Sequence, residues 1–377
     1  MAAKIEQLYM KEIKEVATLL EEKNYRQAAK LLKKLQKEHP QNLWVQLYIG
    51  QWYEEIDKLE SAEKFYRKLL KNATNPQVVI QARQGLQRIE NIEKNRQEQA
   101  IAAAKSHPKN IEPGLLIIEP VSKENKQEAI KNLAKIMKID PYSARMQLQN
   151  RGWRIYRLGA IGELKVYGEE MLKTGLPVFW AKISDIEKIH IFRVQYFQSI
   201  SPQANIVCLN EQDQMGNLNF DWPEVVTKVK GLLPIFMDVM DYDPRRRSQK
   251  IRHKKMTQDY ANILDLHLPS RHCIIRFCDQ NYQYQKGITP NIQTQEQSLL
   301  RPQTTNRGKW NELVNIIDQK LGKVQTWSDF TPFGEVTCQD YTRLLSRLKS
   351  HIDISRKIET MWDPAFQLYS SLVFLKT

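Results

Sequence analysis

The residues best suited to chemistry lie between Pro244 and Lys255, where Arg245, Arg246, Arg247, Lys250, Arg252, Lys254 and Lys255 occur with no acid among them. Half of the net charge of +14 sits in these twelve positions. A run of this kind can neutralise closely spaced phosphates and release their counterions, so its chemistry is anion binding, to nucleic acid, a lipid headgroup or an acidic protein face. Tyr242 and Tyr260 flank it. The competing assignment is a solvated loop neutralised by Asp238, Asp241 and Asp243.

No catalytic signature accompanies it. The patterns GxxxxGK[ST], GxGxxG, HExxH and GxSxG do not occur. Among the seven histidines, His253, His267 and His272 come closest to a group, and His267 and His272 flank a predicted turn. Structural roles are the expectation for them, because no carboxylate stands at ligand spacing. The four cysteines, Cys208, Cys273, Cys278 and Cys338, form no CxxC pair and are expected to be buried, unpaired thiols. Cys273 and Cys278 are five positions apart on a predicted strand, so they should face opposite sides of it. The sequence therefore reads as non-enzymatic, with no cofactor and no metal.

The elements that could position a binding site begin with a repeat. Ala28 and Ala62 are 34 positions apart, and Tyr25 with Leu59, Leu32 with Tyr66, and Leu35 with Leu69 keep the same step. Pro40 and Pro76 end the units. Gly50 and Ala62 are small where two antiparallel helices must approach, and Tyr53 and Tyr66 can fill the space between successive hairpins. With Ile49, Gly50, Tyr53, Ala62, Tyr66 and Leu69 at these offsets, residues 8–76 resemble two tetratricopeptide repeats. The resemblance implies helical hairpins whose first helices line a groove for a protein partner. The matching positions are Met10, Ile13, Ala17 and Leu20, then Trp44, Leu47, Gln51 and Glu54. This face reads as apolar, suited to an amphipathic helix or an extended apolar peptide, with Trp44 as the main anchor. A long helix from Gln77 to about Lys105 is predicted to cap the stack.

Beyond it, 106–114 is linker-like, with two prolines and a glycine. A predicted order of strand (Leu115–Glu119), three helices and strand (Val178–Ile183) makes 115–184 a small α/β module. Region 185–377 reads as mixed β-rich and helical, with strands over Ile189–Phe197, Ala204–Leu209, Ile235–Met240, Ala261–Leu268 and Cys273–Phe277. Helices are predicted at Trp310–Leu321, Cys338–Lys357 and about Pro364–Phe374, and Gln283–Gln303 as a loop. The fold class expected is α+β, with tetratricopeptide-like hairpins over 1–105. With 41% hydrophobic residues the chain can build cores, and no run of 18 apolar residues is present. A cytoplasmic protein that docks a partner, as an adaptor or assembly factor, is the expectation, with nucleic-acid binding through 245–255 as the alternative.

Overall fold

The computed structural model describes residues 2–72, 74–242, 251–287, 305–356 and 360–376, with side chains described except at 2–10, 238–242 and 251–255. The chain divides into two compact units, Met1–Ala103 and Ala104–Thr377.

The first unit is all helical: α1 (Ala2–Glu21), α2 (Tyr25–Glu38), α3 (Leu43–Glu55), α4 (Leu59–Asn72) and α5 (Pro76–Lys105). Asparagines set the starts of three helices. Asn24 accepts from the Gln27 amide, Asn42 from Trp44 and Val45, and Asn75 from Gln77 and Val78, each occupying otherwise orphaned N–H groups. Ala28 and Ala62 are fully buried at the hairpin crossings. A Cβ on Gly50 would stand 2.7 Å from the Tyr66 ring, and one on Gly85 2.5 Å from it. The missing side chains are therefore what admits the ring between α3 and α5.

The second unit is built on two sheets. In the first, β1 (Pro113–Ile118) lies between β2 (Arg154–Ala160) and β3 (Val178–Lys182), antiparallel to both. Alternation along β1 feeds two cores. Leu116 and Ile118 pack with α6 (Lys126–Met137), α7 (Pro141–Gln147) and α8 (Ile161–Lys173), while Leu115 and Ile117 join a core shared with the second sheet. This is why the strand is apolar at successive positions. The stretch read as a linker holds a 3-10 turn at Pro108–Asn110 and the first residues of β1.

After the short α9 (Ile183–Glu187) come β4 (His190–Ser199), β5 (Ala204–Leu209), β6 (Met215–Phe220), β7 (Thr227–Tyr242), β8 (Ile251–Leu268), β9 (Cys273–Cys278) and, after α10 (Asn306–Leu321), β10 (Gln325–Trp327). Their order in the sheet is β10-β7-β8-β9-β4-β5-β6. Helix α10 packs on one face; α11 (Phe330–Asp340), α12 (Thr342–Leu345) and α13 (Trp362–Lys376) pack on the other. Every residue of α13 from Ala365 to Phe374 is buried, as an apolar helix enclosed by two sheets requires.

Several elements differ from the sequence-based expectation. Strand β2 lies where no element was expected, because Arg154 and Arg157 mask its alternation and Ile155 is its one fully buried side chain. The helix expected over Cys338–Lys357 starts earlier, at Phe330, and ends by Leu345. His351 adopts a positive φ of 50°, and Arg356 donates to the Pro234 carbonyl and Thr360, so 351–356 carries no helix. Much of the expected loop Gln283–Gln303 lies outside the described residues.

Candidate functional site

In the first unit, α1, α3 and α5 border an open cavity of about 340 Å³ lined by Ala17, Leu20, Glu21, Tyr48, Gln51, Glu54, Glu55, Gln81 and Arg88. Helical spacing explains the α3 contribution: Tyr48, Gln51 and Glu55 recur at three- and four-residue steps and share one face. The carboxylates differ in their commitments. Glu54 accepts the Tyr66 hydroxyl at 2.7 Å and two guanidinium bonds from Arg88 at 2.7 and 2.9 Å. Glu55 accepts from the Tyr25 hydroxyl at 2.9 Å. Burial first, then the Glu54 hydrogen bond, pushes the Tyr66 phenol far up, so it stays a neutral donor. Burial, with the Glu21 charge, also raises Tyr48. The wall thus presents three carboxylates, one of them neutralised by Arg88, around a tyrosine ring and small apolar surface.

Of the expected lining, Ala17, Leu20, Gln51 and Glu54 border the cavity. Ile13 and Leu47 do not: both are buried, Ile13 against Val16 and Leu32, Leu47 against Leu59 and Tyr66. A fully buried side chain cannot touch a partner, so these two are corrected to core residues. Trp44 is half-buried between the two cores, with its ring 6.4 Å from Tyr48. The side chain of Met10 lies outside those described. The cavity is more polar than expected because α3 turns its apolar residues into the cores. Tyr48, Glu21, Glu55, Gln81 and Arg88 were missed. The first three are legible from the helical period, whereas the α5 pair required reading that helix as the first helix of a third unit.

Residues 19–83 match the tetratricopeptide repeat family. Helices α1–α4 fit repeats of this type, and the match runs into α5 at Arg83. Comparison with curated proteins and with solved structures gave no match. Tetratricopeptide repeats are, as a class, surfaces for protein–protein interaction.

Beyond the tetratricopeptide segment, the described part of the basic run stands at the start of β8, which pairs with β7. Arg245, Arg246, Arg247 and Lys250 lie outside the described residues; Arg252, Lys254 and Lys255 stand on β8, their side chains not described. The register sets Asp241 opposite Arg252 and Asp238 opposite Lys255. Because β10 pairs only with Thr227–Val229 and β9 only with Ile263–Leu268, the hairpin beyond these residues is a two-stranded ribbon among the described residues.

The second unit also contains a buried polar cluster. Arg276 donates twice to Asp265, at 2.8 and 2.7 Å, and Ser370 Oγ donates to Asp265 at 2.6 Å and lies 3.0 Å from His267 Nε2. Serine, histidine and aspartate meet here, but the serine stands between the other two, and all three have no solvent exposure. The arrangement braces α13 against the sheet and offers no route for a substrate. His267 and His272 each pack edge-on against Phe374. Cys208, Cys273 and Cys278 are buried, with burial raising the thiols to about 11, 11 and 12. Cys273 and Cys278 face different cores, as their spacing implied. No helix among the described residues is long and apolar enough to cross a membrane.

Proposed function

We propose that the protein is a non-enzymatic adaptor or assembly factor that docks a protein partner in the groove between α1, α3 and α5. The observation that carries this reading is the open cavity on the side of the repeat that first helices line, most of whose lining belongs to a segment matching an interaction family. Charge complementarity names the chemistry: Glu21, Glu54 and Glu55 against the single cation Arg88 favour a segment carrying lysine or arginine, with an apolar residue against Tyr48.

A randomised peptide library panned against the full chain tests it. Enriched peptides should carry basic residues and lose about tenfold in affinity, roughly 1.4 kcal/mol, for the double variant Tyr48→Ala/Glu55→Gln. Peptides that bind this variant undiminished, with its circular dichroism unchanged, would place docking elsewhere.

A second reading is supported by the ribbon. A two-stranded β-ribbon with a basic end has dimensions that a nucleic-acid groove admits. It predicts that duplex DNA binding falls steeply with salt, by about 0.9 decade per decade for each phosphate neutralised. Salt-independent binding, or binding kept after Arg245, Arg246 and Arg247 are changed to alanine, removes this reading.

A further inference from the structure

The last turn of α13 places the Lys376 ammonium 5.3 Å from the Trp153 ring centre, 5.3 Å from Phe179 and 5.5 Å from Trp327. The same ammonium is ion-paired with the Glu119 carboxylate. The rings are mutually inclined, Phe179 at 65° and Trp327 at 55° to Trp153, with centroids 4.8 and 4.9 Å apart. Those centroids lie nearer to the Trp153 centroid than any ring lies to the ammonium, so the rings form one inclined aromatic wall on one side of the cation. Four separate stretches of chain supply these groups: the strap after β1, the turn before β2, β3 and β10. Gly152, at a φ of +70°, sets the turn that delivers Trp153, and the Glu119 amide is fixed to the Pro177 carbonyl at 2.9 Å.

We propose that the aromatic wall of Trp153, Phe179 and Trp327, with the Glu119 carboxylate, forms a cation-binding site for alkylated ammonium groups, and that Lys376 is its intramolecular occupant. Aromatic faces attract a cation through their quadrupoles, and the attraction strengthens where the site is desolvated. Trp153 is 2% exposed, so one wall is dry. A bare ammonium is strongly hydrated and gives up water reluctantly, whereas a quaternary ammonium has little water to lose and more surface to bury. The Lys376 separations lie toward the outer part of the ~6 Å range over which such contacts count, so a bulkier cation makes closer contact with all three rings. Nothing in the packing of α13 requires this lysine: the helix is anchored by its buried residues from Ala365 to Phe374. Lys376 thus competes with an external ligand, and displacing it frees the aromatic wall without unseating the helix.

The test titrates choline, a trimethyllysine peptide and the neutral isostere 3,3-dimethylbutan-1-ol into the full chain and its variants, read from the tryptophan indole N–H resonances. Lys376→Ala should bind choline saturably and about tenfold or more tighter than the wild type. The neutral isostere should bind at least about tenfold more weakly, and Lys376→Ala/Trp327→Ala should lose the response. Lys376→Ala/Glu119→Gln, which keeps every ring, should be weakened several-fold. If the peptide outcompetes choline, the ligand is a modified lysine side chain; the reverse order assigns a free quaternary ammonium. No saturable binding to Lys376→Ala, equal binding of the neutral isostere, or equal binding to wild type and Lys376→Ala would each overturn the proposal.

Discussion

At His267 the imidazole is sealed between β8 and α13, with Nε2 at Ser370 and Nδ1 buried without a hydrogen-bond partner. A second proton would need an acceptor at Nδ1. Burial, the largest cause, lowers the group to about 4; the Arg276 charge also lowers it, and Asp265 opposes both. The neutral form belongs to the folded state, so its stabilisation is complete above the unfolded value near 6.5. As pH falls from there toward about 4, the unfolded chain takes up a proton that the fold refuses, and stability should drop by roughly 3 kcal/mol. Urea titrations at pH 7.5 and 4.5, with His267→Gln beside the wild type, measure this. The variant should lose visibly less stability over the interval; an equal loss in both would show that His267 is not the titrating group.

At the scale of elements, the tetratricopeptide hairpins show a spacing carried by what is missing from two glycines. The Tyr66 ring is clamped between Gly50 and Gly85 and tied at its hydroxyl to Glu54, so it has no room to yield. Gly85→Val should therefore cost about 1–3 kcal/mol through overpacking, read as a lowered urea midpoint of the helical signal. A raised midpoint would mean that α5 approaches less closely than described. Gly50 and Tyr66 were legible in the sequence from the 34-residue period, but the partner glycine was not. Gly85 lies in a helix without a second copy of the pattern, and no period marks it. The groove follows the same logic: the period located α3, while rotation of the helix about its axis decided that Leu47 enters the core and Tyr48 lines the cavity.

On the scale of the molecule, the two compact units carry separate cores. Helix α13 supplies Phe366, Leu368, Tyr369, Leu372 and Val373 to the largest core of the second unit. Deleting 362–376 should therefore abolish the near-ultraviolet signal of Trp153 and Trp327, because that core cannot close. The helical far-ultraviolet signal of the first unit should remain and melt as a separate transition. Loss of both signals together would show that the units are not independent.

The sequence by itself determined the features that depend on neighbours along the chain. The repeat period and the opposed faces of Cys273 and Cys278 follow from helical and strand periodicity, and the apolar run of β1 marks a strand buried on both faces. It also gave the α+β class, because stretches of each period occupy different regions. Tertiary structure alone decided the rest. Strand β2 forms by pairing with the second edge of β1, and 351–356 leaves the helix where Arg356 is held by the Pro234 carbonyl. The site around Lys376 joins residues from Glu119 to Lys376 whose spacing follows no period. Local periodicity can specify which face of an element is buried, but only packing specifies what that face meets.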